Sequence, residues 1–319
     1  MNKKINVALI GCGRIAPKHF DALTAVEMYN LNLVGVVDKI KSRASALIKD
    51  KQVPIFDNHL DIIRDPNIDL VSILTESGSH YDLAKQVILS GKHVVIEKPM
   101  TLKVSDAQKL IDLAAEKGVQ IHVVKQNRYN PSVEHAKTLI DEGKLGNINI
   151  ASVRLRWCRP QAYYDQAPWR GTWSQDGGAL CNQAIHYLDL LYMFMGEPKS
   201  VFAKSATYSV NIEAEDTLVG VVNFSSGALA TIEITTSVRP TNLEGSISLI
   251  GSKSAINIGG KAANEISVLN EQGSMEQLLH SAGTNQTHFD VYVWAWIALA
   301  IGTFILLQFV TAPFGRHST

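Results

Sequence analysis

Two side chains far apart in the sequence have the types needed for acid–base chemistry on an alcohol. They are Lys98, in Glu97-Lys98-Pro99, and His186, in Asp176-Gly177-Gly178-Ala179-Leu180-Cys181-Asn182-Gln183-Ala184-Ile185-His186-Tyr187-Leu188-Asp189. A lysine whose pKa is lowered by burial can donate to a substrate hydroxyl, and an imidazole can take that hydroxyl's proton while hydride leaves the same carbon. On local sequence alone Lys98 reads as a surface Lys-Pro turn, and a lone histidine on a helix is more often structural. The Asn182-Gln183 pair beside His186 argues for a polar pocket instead. On a helix Asn182, His186 and Asp189 stand at i, i+4 and i+7 and share one face, which also lets Asp189 merely orient the imidazole. No second His or Cys stands at ligand spacing to His186, so no metal is expected.

Hydride requires an acceptor, and the N-terminal segment has the form of a site for one. Gly11-Cys12-Gly13-Arg14-Ile15-Ala16 is a G-x-G-x-x-A turn that follows a strand-like run and opens a helix. Gly11 permits the tight turn, Gly13 lets the backbone approach a pyrophosphate, and the small Ala16 lets the helix pack closely on the strand. The helix start at Arg14 and Ile15 offers free N–H groups and a partial positive charge to phosphates. Asp38 ends the next strand, where an acid receives the ribose hydroxyls and repels a 2′-phosphate. That favours NAD over NADP, although Lys39, Lys41 and Arg43 close behind soften the preference.

The elements that must position these groups fall into two patterns. Short apolar runs at Ile5–Ile10, Leu31–Val37, Leu70–Leu74, Val94–Ile96 and Ile121–Val124 alternate with helical stretches, one reaching about Met28, then Tyr81–Leu89 and Val104–Lys117. That alternation predicts βαβ units, hence a doubly wound parallel sheet covered on both faces, over residues 1–125. Glu97-Lys98-Pro99 then falls at the carboxyl end of a strand, the side on which open α/β folds bind ligands. After Pro131 a helix (Ser132–Glu142) leads into a strand at Ile148–Trp157. Runs at Val201–Val210, Thr217–Phe224, Ala228–Thr236 and Gly245–Ile250, with turns such as Ser225-Ser226-Gly227, predict antiparallel hairpins. Residues 126–280 therefore read as an α+β domain with an open, mainly antiparallel sheet, whose uncovered face predicts a homo-oligomer.

The 319 residues suffice for two domains; 46% are hydrophobic and 19% charged, which supports a large core and argues against disorder. Thirty basic residues balance thirty acidic ones, so no whole-molecule attraction to nucleic acid is expected. Cys12, Cys158 and Cys181 are widely spaced and odd in number, which fits a reducing cytoplasm better than a disulfide scaffold. Met1–Lys4 run directly into a strand-like segment, so no export signal is read at this end. The tail, residues 281–319, breaks the pattern. A polar patch at Ser281–Asp290 precedes Val291–Val310, an uncharged stretch of 20 residues with Tyr292, Trp294 and Trp296 at one end. As a helix it would be about 30 Å long, a bilayer's hydrocarbon thickness, so a transmembrane tether is expected in preference to a buried helix.

Gly11-x-Gly13-x-x-Ala16, Glu97-Lys98-Pro99 and the Gly177-Gly178…His186-x-x-Asp189 segment, in that order, resemble the Gfo/Idh/MocA oxidoreductase family, over roughly Ile5–Asn270. The resemblance implies a Rossmann domain followed by an open-faced sheet domain, hydride transfer between NAD(P) and a sugar or cyclitol, Lys98 and His186 as the catalytic pair, Glu97 beside the cofactor, and a cis Lys98–Pro99 bond. Many members carry Asp four residues before the histidine, where this chain has Asn182. Asn182-Gln183, Asn127-Arg128-Tyr129-Asn130-Pro131 and Trp169-Arg170-Gly171-Thr172-Trp173 resemble a narrower group, the UDP-N-acetylglucosaminuronate 3-dehydrogenases, which make nucleotide sugars for bacterial surface polysaccharides such as lipopolysaccharide. That implies a nucleotide-sugar substrate; the alternatives are an inositol or other sugar dehydrogenase and, from another class, a non-catalytic nicotinamide-binding sensor or membrane scaffold. An amide at 182 cannot act as a base but can hold sugar hydroxyls or an acetamido group. The substrate's pyrophosphate and carboxylate need donors, for which Arg128, Arg154, Arg156, Arg159 and Arg170 are candidates, with Tyr163 and Tyr164 in the same loop. Arg159, Arg170, Tyr163, Asn182 and Gln183 are the expected substrate contacts.

Overall fold

A computed structural model describes residues 4–25, 30–49, 51–260, 262–271 and 274–276. The first domain runs β1 (Ile5–Ile10), α1 (Ala16–Ala25), β2 (Leu31–Val37), α2 (Lys41–Ile48), α3 (His59–Arg64), β3 (Leu70–Ile73), α4 (His80–Leu89), β4 (His93–Ile96), α5 (Val104–Lys117) and β5 (Ile121–Val123). Its strands form one parallel sheet in the order β2-β1-β3-β4-β5. A single parallel bridge, Val36 to Ile55, stands beyond β2 in place of a sixth strand. The central strands β1, β3 and β4 are buried on both faces because helices cover both. Val7 and Leu9 of β1 pack with Ala16, Leu23 and Val36, whereas Ala8 and Ile10 pack with Val71, Ile88 and Leu110. Successive side chains point to opposite faces, so an unbroken apolar run is what such a strand requires. The strand order reverses between β1 and β3, and ligand crevices open at the carboxyl edge of such a switch point.

A 3₁₀ turn, Gln126–Tyr129, leads into α6 (Pro131–Asp141), with proline at the helix start, where its missing N–H costs nothing. The second domain continues with β6 (Ile148–Arg156), α7 (Gln161–Tyr164), α8 (Ile185–Met195), β7 (Pro198–Ala206), β8 (Thr217–Phe224), β9 (Leu229–Thr235), β10 (Glu244–Gly251), β11 (Ala255–Gly259), β12 (Glu265–Glu271) and β13 (Ser274–Glu276). The sheet order is β13-β12-β11-β10-β6-β9-β8-β7, antiparallel throughout except for the β6–β9 pair. One face packs Val153, Leu155, Ile234, Ile247 and Leu249 against Val133, Tyr187, Leu190 and Phe194 of α6 and α8. Among the described residues nothing covers the other face. It presents Phe202, Val219, Val221 and Leu229 to solvent, and its Arg156 pairs with Glu233 and Glu244 on neighbouring strands.

Three details depart from the sequence reading. The strand expected at Val201–Val210 is Pro198–Ala206, because the N–H groups of Tyr208 and Ser209 donate to Asp216 Oδ2 at 3.0 and 2.9 Å and leave the ladder. Three further strands, β11 to β13, extend the sheet past the last one expected. The helix carrying His186 opens with a π turn, Leu180–Ala184. Among the described residues no helix is long and apolar enough to cross a membrane. Ser281–Asp290, Val291–Val310, the rest of the tail and Met28 lie outside the described residues.

Candidate active site

The glycine turn at the carboxyl end of β1 is built as a cradle. Gly11 has φ +99°, and a Cβ there would lie 2.9 Å from the Leu74 carbonyl, so only glycine fits. At Gly13 a Cβ would meet nothing within 4 Å; the backbone there faces open space at the start of α1. Asp38 stands over the turn, its Oδ2 accepting from Cys12 N–H at 2.7 Å and its Oδ1 from Ile40 N–H at 2.8 Å. Arg14, Ile15 and Ala16 carry the turn into α1. An exposed backbone concavity on a helix N-terminus, with a carboxylate at the end of the next strand, fits a dinucleotide's pyrophosphate and ribose. Lys39 and Lys41 are engaged with Glu76 and Asp57, at 3.6 and 2.6 Å. Cys12 is pushed up to about 12 by burial, reinforced by Asp38, and stays a thiol.

Lys98 follows β4 and is joined to Pro99 by a cis bond. Its Nζ crosses to the second domain and donates to the Asn182 backbone carbonyl at 2.7 Å and to Asn182 Oδ1 at 3.1 Å. The residue that it reaches lies within a π turn, Leu180–Ala184. The turn itself is fixed by Glu215, whose Oε1 accepts from Leu180 N–H at 2.9 Å. Gly178 passes so close that a Cβ would lie 2.0 Å from Glu215 Oε2, at φ +82°. Burial lowers the Lys98 pKa, with Lys125 and Arg170 acting the same way and Glu97 and Asp176 opposing. Glu97 lies beneath it, accepting from His19 Nε2 at 2.9 Å and from Lys98 N–H at 3.1 Å. Although burial opposes it, the His19 and Lys98 contacts hold the Glu97 carboxyl down to about 2.

His186 lies one turn beyond Asn182, its Nε2 3.3 Å from Gln126 Nε2. Burial, with Lys98 second, holds its pKa down to about 3, so the imidazole is neutral at physiological pH. Asp189 does not orient it. Arg128 grips that carboxylate through two hydrogen bonds of 2.6 and 2.7 Å, with Lys125 at 3.6 Å, and so ties the interdomain turn to α8.

Arg159, Tyr163, Arg170 and Gln183 come together. Arg159 donates to Gln183 Oε1 at 3.1 Å, Gln183 Nε2 donates to the Tyr163 hydroxyl at 2.9 Å, and Arg170 donates to that hydroxyl at 2.6 Å. The Arg170 guanidinium also lies 4.3 and 4.4 Å from the Tyr163 and Trp169 ring centres. Arg154 and Arg156 are instead ion-paired on the open sheet face, and Arg128 is held by Asp189. The sequence reading missed Gln126, Lys125, His19 and Asp176. Lys125 and Gln126 follow β5 as Lys98 follows β4, a positional signal that was there to read, and Asp176 adjoins the glycine pair; nothing local marks His19.

Comparison with known proteins agrees with this architecture. Residues 5–125 match the NAD-binding Rossmann fold of the Gfo/Idh/MocA oxidoreductase family, and residues 133–257 match the family's C-terminal domain. The chain belongs to that family. Among solved structures it is similar to the WlbA dehydrogenase from Bordetella pertussis in complex with NADH and UDP-GlcNAcA. The two are 34% identical, the match covers 95% of this chain and 89% of that one, and the TM-score is 0.85. It is 36% identical over 156 residues to the scyllo-inositol 2-dehydrogenase (NADP(+)) IolW of Bacillus subtilis, covering 49% of this chain and 43% of that protein. It is 27% identical over 240 residues to the myo-inositol 2-dehydrogenase of Thermotoga maritima, covering 72% and 68%. The matches thus span 43% and 53% of the first two curated relatives' length.

Proposed function

We propose that this chain oxidises the 3-hydroxyl of a UDP-linked N-acetylhexosaminuronate. The observation that carries the reading is Lys98 Nζ reaching the Asn182 turn beside a neutral His186, with the Arg159–Tyr163–Arg170–Gln183 cluster adjoining through Gln183. Bound NAD supplies the hydride acceptor. Lys98 hydrogen-bonds the reacting oxygen and stabilises the negative charge that builds on it, while the neutral imidazole of His186 takes its proton. Arg159 and Arg170 offer planar donors to the pyrophosphate and carboxylate. Asn182 and Gln183 meet the sugar's hydroxyl and acetamido groups, and Gly11, Gly13 and Asp38 hold the dinucleotide. The likeness to a dehydrogenase complexed with NADH and UDP-GlcNAcA supports the same substrate class.

The inositol dehydrogenases among its relatives favour a second reading, an uncharged cyclitol. Two guanidiniums lying over aromatic rings beside Gln183, Arg159 at 4.9 Å from the Trp157 ring centre and Arg170 at 4.3 Å from that of Tyr163, argue for an anionic substrate instead. Incubation with NAD and either UDP-N-acetylglucosaminuronate or an inositol, following the absorbance of the reduced nicotinamide, decides between them. Reduction with the nucleotide sugar alone is expected. Reduction only with the cyclitol transfers the assignment, and reduction with neither refutes both readings.

The open sheet face is the docking surface for a second copy of the chain. Phe202 and Val221 are 69% and 49% exposed there, and Arg154, Arg156, Glu233 and Glu244 on adjoining strands give the face both signs of charge, as a self-complementary interface requires. Sedimentation is expected to give a dimer or larger assembly that Phe202→Glu with Val221→Glu reduces to monomers. A monomeric wild type would refute the interface.

A further inference from the structure

We propose that Asp176 is a positioning residue for Lys98, its carboxylate acting through the Asn182 amide to fix the place and the charge of the lysine's Nζ. The proposal rests on the reading above in which Lys98 contacts the reacting oxygen. Asp176 lies in the loop before the glycine pair and is 2% exposed. Its Oδ2 accepts from Gly171 N–H at 2.7 Å, and its Oδ1 accepts a short hydrogen bond from Asn182 Nδ2. With the amide's donor end committed to a carboxylate, its oxygen must turn the other way, onto Lys98 Nζ. The result is an uninterrupted line from carboxylate to amide to ammonium, in which each bond polarises the next.

A carboxylate taken out of water costs free energy unless charge or hydrogen bonds compensate. The direct hydrogen bonds found to Asp176 come from two neutral N–H groups. Arg170 and Lys98 face it as cations, while Tyr164 on α7, Cys181 in the π turn and Glu215 before β8 also face it, Glu215 adding repulsion. Lys98 in turn faces Glu97, Asp176, Lys125, Arg170, His186 and, from the start of α4, His80. Burial, Lys125 and Arg170 press it toward the neutral amine, against Glu97 and Asp176. Glu97 is already engaged with His19, which leaves Asp176 as the carboxylate on the second-domain side.

Two variants separate this role from a structural one. Asp176→Asn keeps an acceptor for Gly171 but removes the charge. Asp176→Asn combined with Asn182→Asp keeps every hydrogen bond: the amide placed at 176 accepts from Gly171 and donates to the carboxylate placed at 182, which accepts from Lys98. The readouts are the Lys98 Nζ titration by NMR and the pH profile of kcat/KM. In the single variant the Lys98 pKa should fall by about one unit or more, and the corresponding limb of the profile should move to lower pH with it. The double variant should return both to the wild-type position or above. A Lys98 titration unmoved in the single variant overturns the proposal. Should that variant not fold, a double variant that folds with Lys98 titrating below the wild type overturns it equally. The titration needs no turnover, so a wild type that reduces no NAD refutes the proposed function without touching this comparison.

Discussion

Lys98→Met is expected to lower kcat by about 10²–10⁴-fold, and His186→Gln by a similar factor, without loss of NADH binding. Methionine keeps most of the lysine's length but offers no donor, so the reacting oxygen loses the hydrogen bond that stabilises its negative charge. Glutamine keeps a polar group beside Gln126 but cannot take a proton. Neither change reaches the cradle at Gly11 and Gly13 or the Asp38 carboxylate, which is held by Cys12 and Ile40. NADH affinity, read by fluorescence titration, should therefore stay within about threefold, while single-turnover hydride transfer slows. Because both groups serve one oxygen, the double variant should be no more than about tenfold slower than the worse single one, since groups acting as a unit are not additive. Either variant retaining near-wild-type single-turnover rates would remove that residue from the mechanism.

The same two residues show how far the sequence could be read. Glu97-Lys98-Pro99 reads by itself as a surface turn; the alternation of strand-like and helical runs over residues 1–125 is what puts it at the carboxyl edge of a parallel sheet. The cradle at Gly11–Ala16 is local, since its tight turn is a backbone property of a few consecutive residues. What was not legible depends on partners distant in sequence. A charge pattern shows that Arg128, Arg154 and Arg156 are cations but not that Asp189, Glu244 and Glu233 claim them. The end of β7 is set by the Asp216 carboxylate, which competes with the ladder for the Tyr208 and Ser209 N–H groups. The π turn at Leu180–Ala184 gives a further instance. Helical spacing placed Asn182, Asp189 and His186 on one face, yet Lys98 reaches Asn182 within a π turn that the distant Glu215 holds at Leu180. Apolar periodicity tells a helix from a strand; it does not register one residue more in a turn.

Stability should fall steeply as the pH drops from 7.5 to 5, and the burial of several histidines, His186 of the site among them, is the cause. In the folded protein His186 is held down to about 3, by burial first and then Lys98, and His122 down to about 4, by burial first and then His93. In the unfolded chain both titrate near their ordinary value of 6.5. Below 6.5 the unfolded chain takes up protons that the folded chain refuses, so this stability is complete above that value and is lost as the pH falls toward 4 and 3. At pH 5 each histidine should cost about 2 kcal/mol relative to neutral pH. His80 and His93, also lowered by burial, act in the same direction. Glu97 adds to the loss only at greater acidity, since its carboxyl is held down to about 2 against an ordinary 4.5 and its contribution disappears between those values. Urea unfolding at the two pH values should therefore differ by about 4 kcal/mol or more. His186→Gln and His122→Gln should each remove about 2 kcal/mol of that difference, whatever each does to stability at neutral pH. Equal unfolding free energies at both pH values, or a slope that neither substitution reduces, would mean that these imidazoles titrate alike in the folded and unfolded chain and that burial does not hold them neutral.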